Sequence, residues 1–302
     1  MTELKIALDW TPNINHIGFY VAQAQGFYAD QGLAVMLITP DADNYAVTPA
    51  KKVELGEVDF ALCPMESIIS YQTKAQPFKM VAIASIFQHD LSAIATKPTI
   101  QSPRDLDGKI YASYKARYED GIVRGMVQND GGKGQLQISY PDKLGIWERV
   151  ANGEADATWI FMNWEGVQAQ AGNLALNYFK MADYGIPYSY SPVIAADSSR
   201  IKNQQSAYTQ FLAATKAGYL FAQNNPVQAV EILAPFVPDY DQNIDLMAAL
   251  KMSASAFGKA DIWGQIETEN VQTFLDWLRE RNLEKATLKV TDLVVPFNLV
   301  LS

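Results

Sequence analysis

The chain is poor in the side chains that most catalytic and metal centres draw on. Its 302 residues include one cysteine, Cys63, and two histidines, His16 and His89. One thiol cannot close an intramolecular disulfide, and it fits a reducing compartment, although many periplasmic chains also lack cysteine. Two histidines argue against a histidine-based metal site. No apolar run reaches the roughly 18 residues that a membrane-spanning helix needs, so no membrane insertion is expected. The opening "MTELKIALDW" shows no basic stretch followed by an apolar one, so no secretory leader is read there. A cytoplasmic location is therefore expected, or a periplasmic one if a leader has been removed. Cations are also in short supply: 24 Lys and Arg face 33 Asp and Glu, for a net charge of −9. That balance argues against nucleic acid, which requires a basic face.

Short catalytic signatures are missing as well. G-x-S-x-G, H-E-x-x-H and C-x-x-C do not occur. "DGGKG" at 130–134 lacks the ending and the preceding strand of a phosphate loop, and reads as a helix stop. "DADN" at 41–44 begins like a calcium loop but lacks its glycine and closing glutamate. Cys63 stands at a strand end without an identifiable base and reads as buried and inert. No catalytic residue, metal ligand or cofactor is assigned.

What the chain does have is a core and a rhythm. Hydrophobic residues make up 49% and charged ones 19%, which is ordinary for a globular protein, and the length suits about two domains. Short apolar strands alternate with amphipathic helices from "LKIALDW" to "ATWIF", which predicts an α/β class with parallel sheets. The order then repeats itself. "GEVDFAL" at 56–62 and "GEADATW" at 153–159 each follow a helix, supply a glycine stop and an aspartate, and run into a buried strand. Two similar lobes with a cleft between them are expected: lobe 1 from 1–94 plus 195–302, and lobe 2 from 95–194. The chain crosses near 92–98 and 190–197. The helical C-terminal third is expected to pack on lobe 1.

Aromatic and small polar residues gather just past the strand ends, where open α/β sheets bind ligands. The first loop offers Asp9, Trp10, Asn13 and His16, and later ones offer Tyr45, Glu66 and Ser67. In the second half the same vocabulary returns as Tyr114, Arg117, Tyr118, Asn163, Glu165 and Tyr188. Trp and Tyr combine a flat apolar face with one polar handle, and carboxylates or amides can bond a ring's edge. Such loops suit a flat, nitrogen-rich heterocycle. Phe19, Phe60 and Phe161 read instead as core. An alternative is an enzyme acting on a heterocyclic or phosphorylated small molecule, with Tyr114, Arg117 and Glu119 as an acid–base and anion-holding cluster.

The stretch "LDWTPNINHIGFYVAQAQGFYADQGLAV", with "LDGKIYASY", "NWEG" and "YGIPYSYSP", resembles the thiamine-pyrimidine group of periplasmic-binding-protein-like proteins over roughly residues 4–220. The resemblance implies a two-lobed type II periplasmic-binding-protein fold with an interlobe ligand cleft. It implies binding of a thiamine-precursor-like pyrimidine by lobe closure, and an ABC transporter partner if the chain is exported. On it, Trp10 stacks on the ring, Asn13 bonds nearby, Glu165 reads the aminopyrimidine edge, and Tyr188 clamps the other face. The group's pyrimidine synthase carries a cofactor-anchoring lysine, a histidine and a cysteine-rich motif. Here Cys63 and Ser67 stand at the lysine and histidine positions, in "VDFALCPMES". The resemblance therefore implies binding without synthesis and without a cofactor.

Overall fold

A computed structural model describes residues 1–295. The described chain forms two compact units: Met1–Asp90 with Tyr190–Val271 and residues 287–295, and Leu91–Ser189 with Gln272–Ala286.

The first unit holds strands β1 (Thr2–Ala7), β2 (Leu33–Ile38), β3 (Phe60–Cys63), β4 (Met80–Ser85) and β10 (Val193–Asp197) in the order β2-β1-β3-β10-β4. The second holds β5 (Ser92–Thr96), β6 (Ile110–Ala112), β7 (Gln137–Ser139), β8 (Ala157–Phe161) and β9 (Asn177–Phe179) in the order β7-β6-β8-β5-β9. Both sheets are mixed, which corrects the all-parallel expectation. In each, four strands point the same way, three of them side by side, and the strand by which the chain crosses into the unit lies antiparallel between the third of these and the edge strand. Strands buried on both faces read as plain apolar runs, so their direction leaves no trace in the sequence.

Helices in the first unit are α1 (Ile17–Ala24), α2 (Phe27–Asp30), α3 (Pro49–Glu54), α4 (Met65–Thr73), α8 (Ser198–Asn224), α9 (Pro226–Leu233) and α10 (Leu246–Ala254). The second unit adds α5 (Glu119–Asn129), α6 (Glu148–Ala151) and α7 (Glu165–Ala171). The last helices among the described residues are α11 (Thr268–Glu280) and α12 (Val290–Leu293). Local chemistry sets several boundaries. The Thr48 hydroxyl accepts the Lys51 amide at 3.3 Å and Pro49 opens α3, as the sequence predicts. The core of the first unit is aromatic: Phe211 stacks on Phe60 at 4.2 Å and on Tyr28 at 5.8 Å, and Phe19 meets Tyr219 edge-on. Phe19 and Phe60 are buried as expected, whereas Phe161, the last residue of its strand, is only half-buried.

The repeated segment has the same structure twice. Gly56 and Gly153 both take positive φ, 73° and 79°, which glycine alone adopts without strain. Asp59 accepts the Lys5 amide at 2.9 Å and pairs with Arg200 at 2.7 Å. Asp156 accepts the Ile110 amide at 2.9 Å and pairs with Lys97 at 2.9 Å. In each unit the aspartate fixes the entry register of one parallel strand against the next.

The C-terminal third does not stay wholly with the first unit. Residues 272–286 belong to the second, which also shifts the breaks from the expected 94/95 and 194/195 to 90/91 and 189/190. The cause lies on one face of α11. Phe274 packs edge-on to Tyr188 at 5.5 Å, and a Cβ on Gly125 would stand 3.1 Å from the Trp277 ring.

Candidate functional site

In the first unit the carboxyl ends of β2, β1 and β3 lie side by side, and each is followed by a polar or aromatic residue. Past β1 come Asp9 and Trp10. Past β2 a tight turn ends at Asn44 and Tyr45, both at positive φ (52° and 58°). That conformation is a real cost for a bulky tyrosine, and such strain concentrates at functional sites. Contacts with the loop past β1 help to hold it. The Tyr45 hydroxyl donates to the Asp9 carbonyl at 2.9 Å, and its ring lies 5.9 Å from that of Trp10. Past β3, Glu66 enters the first turn of α4, where negative charge is favoured, and it is only 6% exposed. Ser67 follows, half-buried.

Cys63 lies among these groups. Burial, with the charges of Asp9 and Glu66 beside it, pushes its thiol far above the ordinary range, so it stays a protonated, inert thiol. Burial also pushes the Tyr45 phenol up, helped by Asp9.

His16 is fully buried and spends both nitrogens inside the chain. The Asn13 amide donates to Nδ1 at 3.3 Å. The proton therefore sits on Nε2, which donates to Asp9 Oδ1 at 2.8 Å. Asn13 is equally committed: its Oδ1 accepts the Asn15 amide at 2.8 Å and its Nδ2 donates to the Thr11 carbonyl at 3.0 Å. Asn13 and His16 thus form the cap of a short helical turn, Ile14–His16. The sequence pattern assigns them to the ligand; the structure gives them the task of holding the loop. The Asn-x-x-His spacing was the available signal for that cap. Asp9, which His16 supports directly, belongs to the same loop that the sequence marks.

In the second unit the ends of β6 and β8 carry the matching groups. Tyr114 and Tyr118 flank a loop organised by Glu119. The Glu119 carboxylate accepts the Tyr111 hydroxyl at 2.8 Å and the amides of Tyr114 and Ala116 at 3.0 and 3.2 Å. Burial pushes its carboxyl up, against the pull of those bonds. Arg117 pairs with Glu284 at 3.0 Å, and the Tyr118 hydroxyl donates to the same carboxylate. The expected Tyr114–Arg117–Glu119 cluster is therefore a loop tied by internal bonds, and Glu284 was beyond sequence reasoning because it lies far along the chain. Past β8, Asn163 is buried, and Glu165 opens α7, 7% exposed, its Oε2 accepting the Phe161 amide at 2.9 Å. Tyr188 packs edge-on to Trp159 at 5.0 Å. Lys143, which the sequence does not mark, lies near Glu119, and burial pushes its ammonium down.

Among the described residues no group of three or more His, Cys, Asp or Glu is placed to hold a metal ion. Nor do the residues fit an imine-linked cofactor. Where the resemblance puts the anchoring lysine, Cys63 presents a buried thiol.

Two mixed five-stranded sheets of this order, each with a helix-flanked ridge of polar and aromatic residues, have the fold of periplasmic binding proteins. The alkanesulfonate-binding protein of Xanthomonas axonopodis superposes with a TM-score of 0.75 at 10% identity, over 98% of both chains. The chain belongs to the NMT1/THI5-like family, whose profile matches residues 13–229. It is 26% identical to the formylaminopyrimidine-binding protein of Halalkalibacterium halodurans, over 76% of this chain and 69% of that one. It is 24% identical to a thiamine biosynthesis protein described as putative in Haemophilus influenzae, over 78% and 74%.

Proposed function

We propose that this chain binds a small nitrogen heterocycle, an aminopyrimidine of the thiamine-precursor type. The carrying observation is the repeated placement of a buried carboxylate. Glu66 lies in the first turn of a helix and Glu165 opens one, each just past a parallel strand. In the first unit Trp10 supplies a face for a flat ring and Glu66 an acceptor for an amino edge; in the second unit Tyr188 and Glu165 supply the same two kinds of group, the carboxylates as charge-assisted acceptors of greater strength than neutral ones. Ser67, Asn163 and Tyr114 add polar contacts, and Asn13 and His16 act by holding the first loop. The internal bonds of Glu119 and Arg117 leave little support for acid–base turnover.

A transport role adds a membrane permease as partner, for an exported form of the chain. A cytosolic form serves as a carrier or sensor of the same ligand. Among the described residues no helix is long and apolar enough to cross a membrane.

The test of the site is a titration with formylaminopyrimidine for the wild type and Glu165→Gln. The variant should bind about 10- to 100-fold more weakly, as expected for a lost hydrogen bond to a charged group. Equal affinity with an unchanged fold removes Glu165 from the site.

A further inference from the structure

We propose that Asp9 is a carboxylate of the first unit that contacts the ligand directly, with His16 as its positioning residue. This rests on the binding function just proposed. Asp9 follows β1, the strand between β2 and β3 in the parallel part of the sheet. Its side chain is 18% exposed, whereas that of His16 is 0% exposed, so within this pair only Asp9 can reach a ligand.

The hydrogen bonds fix how it is presented. With Nδ1 occupied by the Asn13 amide, the histidine has one N–H to give, and it goes to Asp9 Oδ1. The histidine holds the carboxylate from behind, and Oδ2 stays available as an acceptor. The Asp9 backbone is held too, since its carbonyl accepts the Tyr45 hydroxyl. Keeping Tyr45 at positive φ costs energy. In return its ring stays beside Trp10, along the wall next to Asp9.

An ionised carboxylate only accepts hydrogen bonds. The matching ligand edge is therefore an N–H: an exocyclic amino group or a protonated ring nitrogen. Asp9 and Glu66 on one ridge also repel anions, so a small sulfonate or carboxylate is a poor ligand for this unit.

The experiment is a two-by-two titration by calorimetry, with folding checked by circular dichroism. The probes are formylaminopyrimidine and its analogue with hydrogen in place of the ring amino group. The proteins are the wild type and Asp9→Asn. The asparagine keeps an oxygen for His16 but turns the other acceptor into a donor. Wild type should prefer the amino compound, and Asp9→Asn should lose about 10- to 100-fold in affinity for it and most of the preference. His16→Gln, which keeps an N–H toward Asp9, should retain the preference, and His16→Leu should lose it.

If wild type prefers the amino compound and Asp9→Asn keeps both affinity and preference, the Asp9 assignment falls while heterocycle binding stands. Equal weakening toward both probes also overturns it, because Asp9 then only supports the loop. If wild type binds neither probe, the binding function itself fails and this inference falls with it.

Discussion

Gly218 has no room for a methyl group. A Cβ there would lie 2.0 Å from the Gly18 carbonyl oxygen, and one on Gly18 would lie 2.1 Å from the Tyr219 ring. The two glycines let α1 and α8 touch backbone to backbone. Gly218→Ala should therefore cost on the order of 1–3 kcal/mol in urea denaturation, the usual penalty of overpacking. An unchanged midpoint would show that the helices can separate freely. Cys63 makes the opposite kind of prediction. Its raised thiol should ignore a thiol reagent in the native protein at mildly alkaline pH and react fully once the chain is denatured. Rapid native labelling would contradict its burial. The sequence marks Cys63 as inert because no base accompanies it, and marks Trp10, Glu66 and Glu165 because strand ends are where α/β ligands bind. It does not tell a ligand contact from a capping residue. Asn13 and His16 look like binding groups until their partners, Asn15, Thr11 and Asp9, are seen.

The elements are legible where local chemistry sets them. Thr48 and Pro49 announce α3, Gly56 and Gly153 announce two helix stops, and alternation announces the α/β class. Strand direction and the far partners of Asp59 and Asp156 are not legible, because pairing depends on residues scores of positions away. Asp156 provides a test at this scale. Burial pushes its carboxyl up, but the Ile110 amide and the Lys97 ammonium outweigh it and leave it below its ordinary 3.8. A carboxyl depressed by folding stabilises above the unfolded pKa, and that stabilisation fades as pH falls through the folded one. Asp156→Asn should cost about 1–2 kcal/mol near neutral pH. The gap from wild type should narrow as the pH drops below 3.8. A gap that stays constant on acidification would mean that charge at Asp156 plays no part.

At the scale of the whole molecule, the same fold appears in both units, each with its own ridge of aromatics and a buried glutamate, and residues 13–229 carry the family's pattern. A net charge of −9 is no obstacle to a basic ring and disfavours anions. Ligand binding to the folded state alone should stabilise it by about 2.7 kcal/mol when ligand stands at about 100 times its dissociation constant. The most direct measurement is a calorimetric titration of the wild-type protein with formylaminopyrimidine, paired with its thermal unfolding at saturation. Binding at a single site, a dissociation constant in roughly the micromolar range or below, and a raised unfolding temperature are predicted. A folded protein that gives no binding heat and no shift would contradict the proposed function.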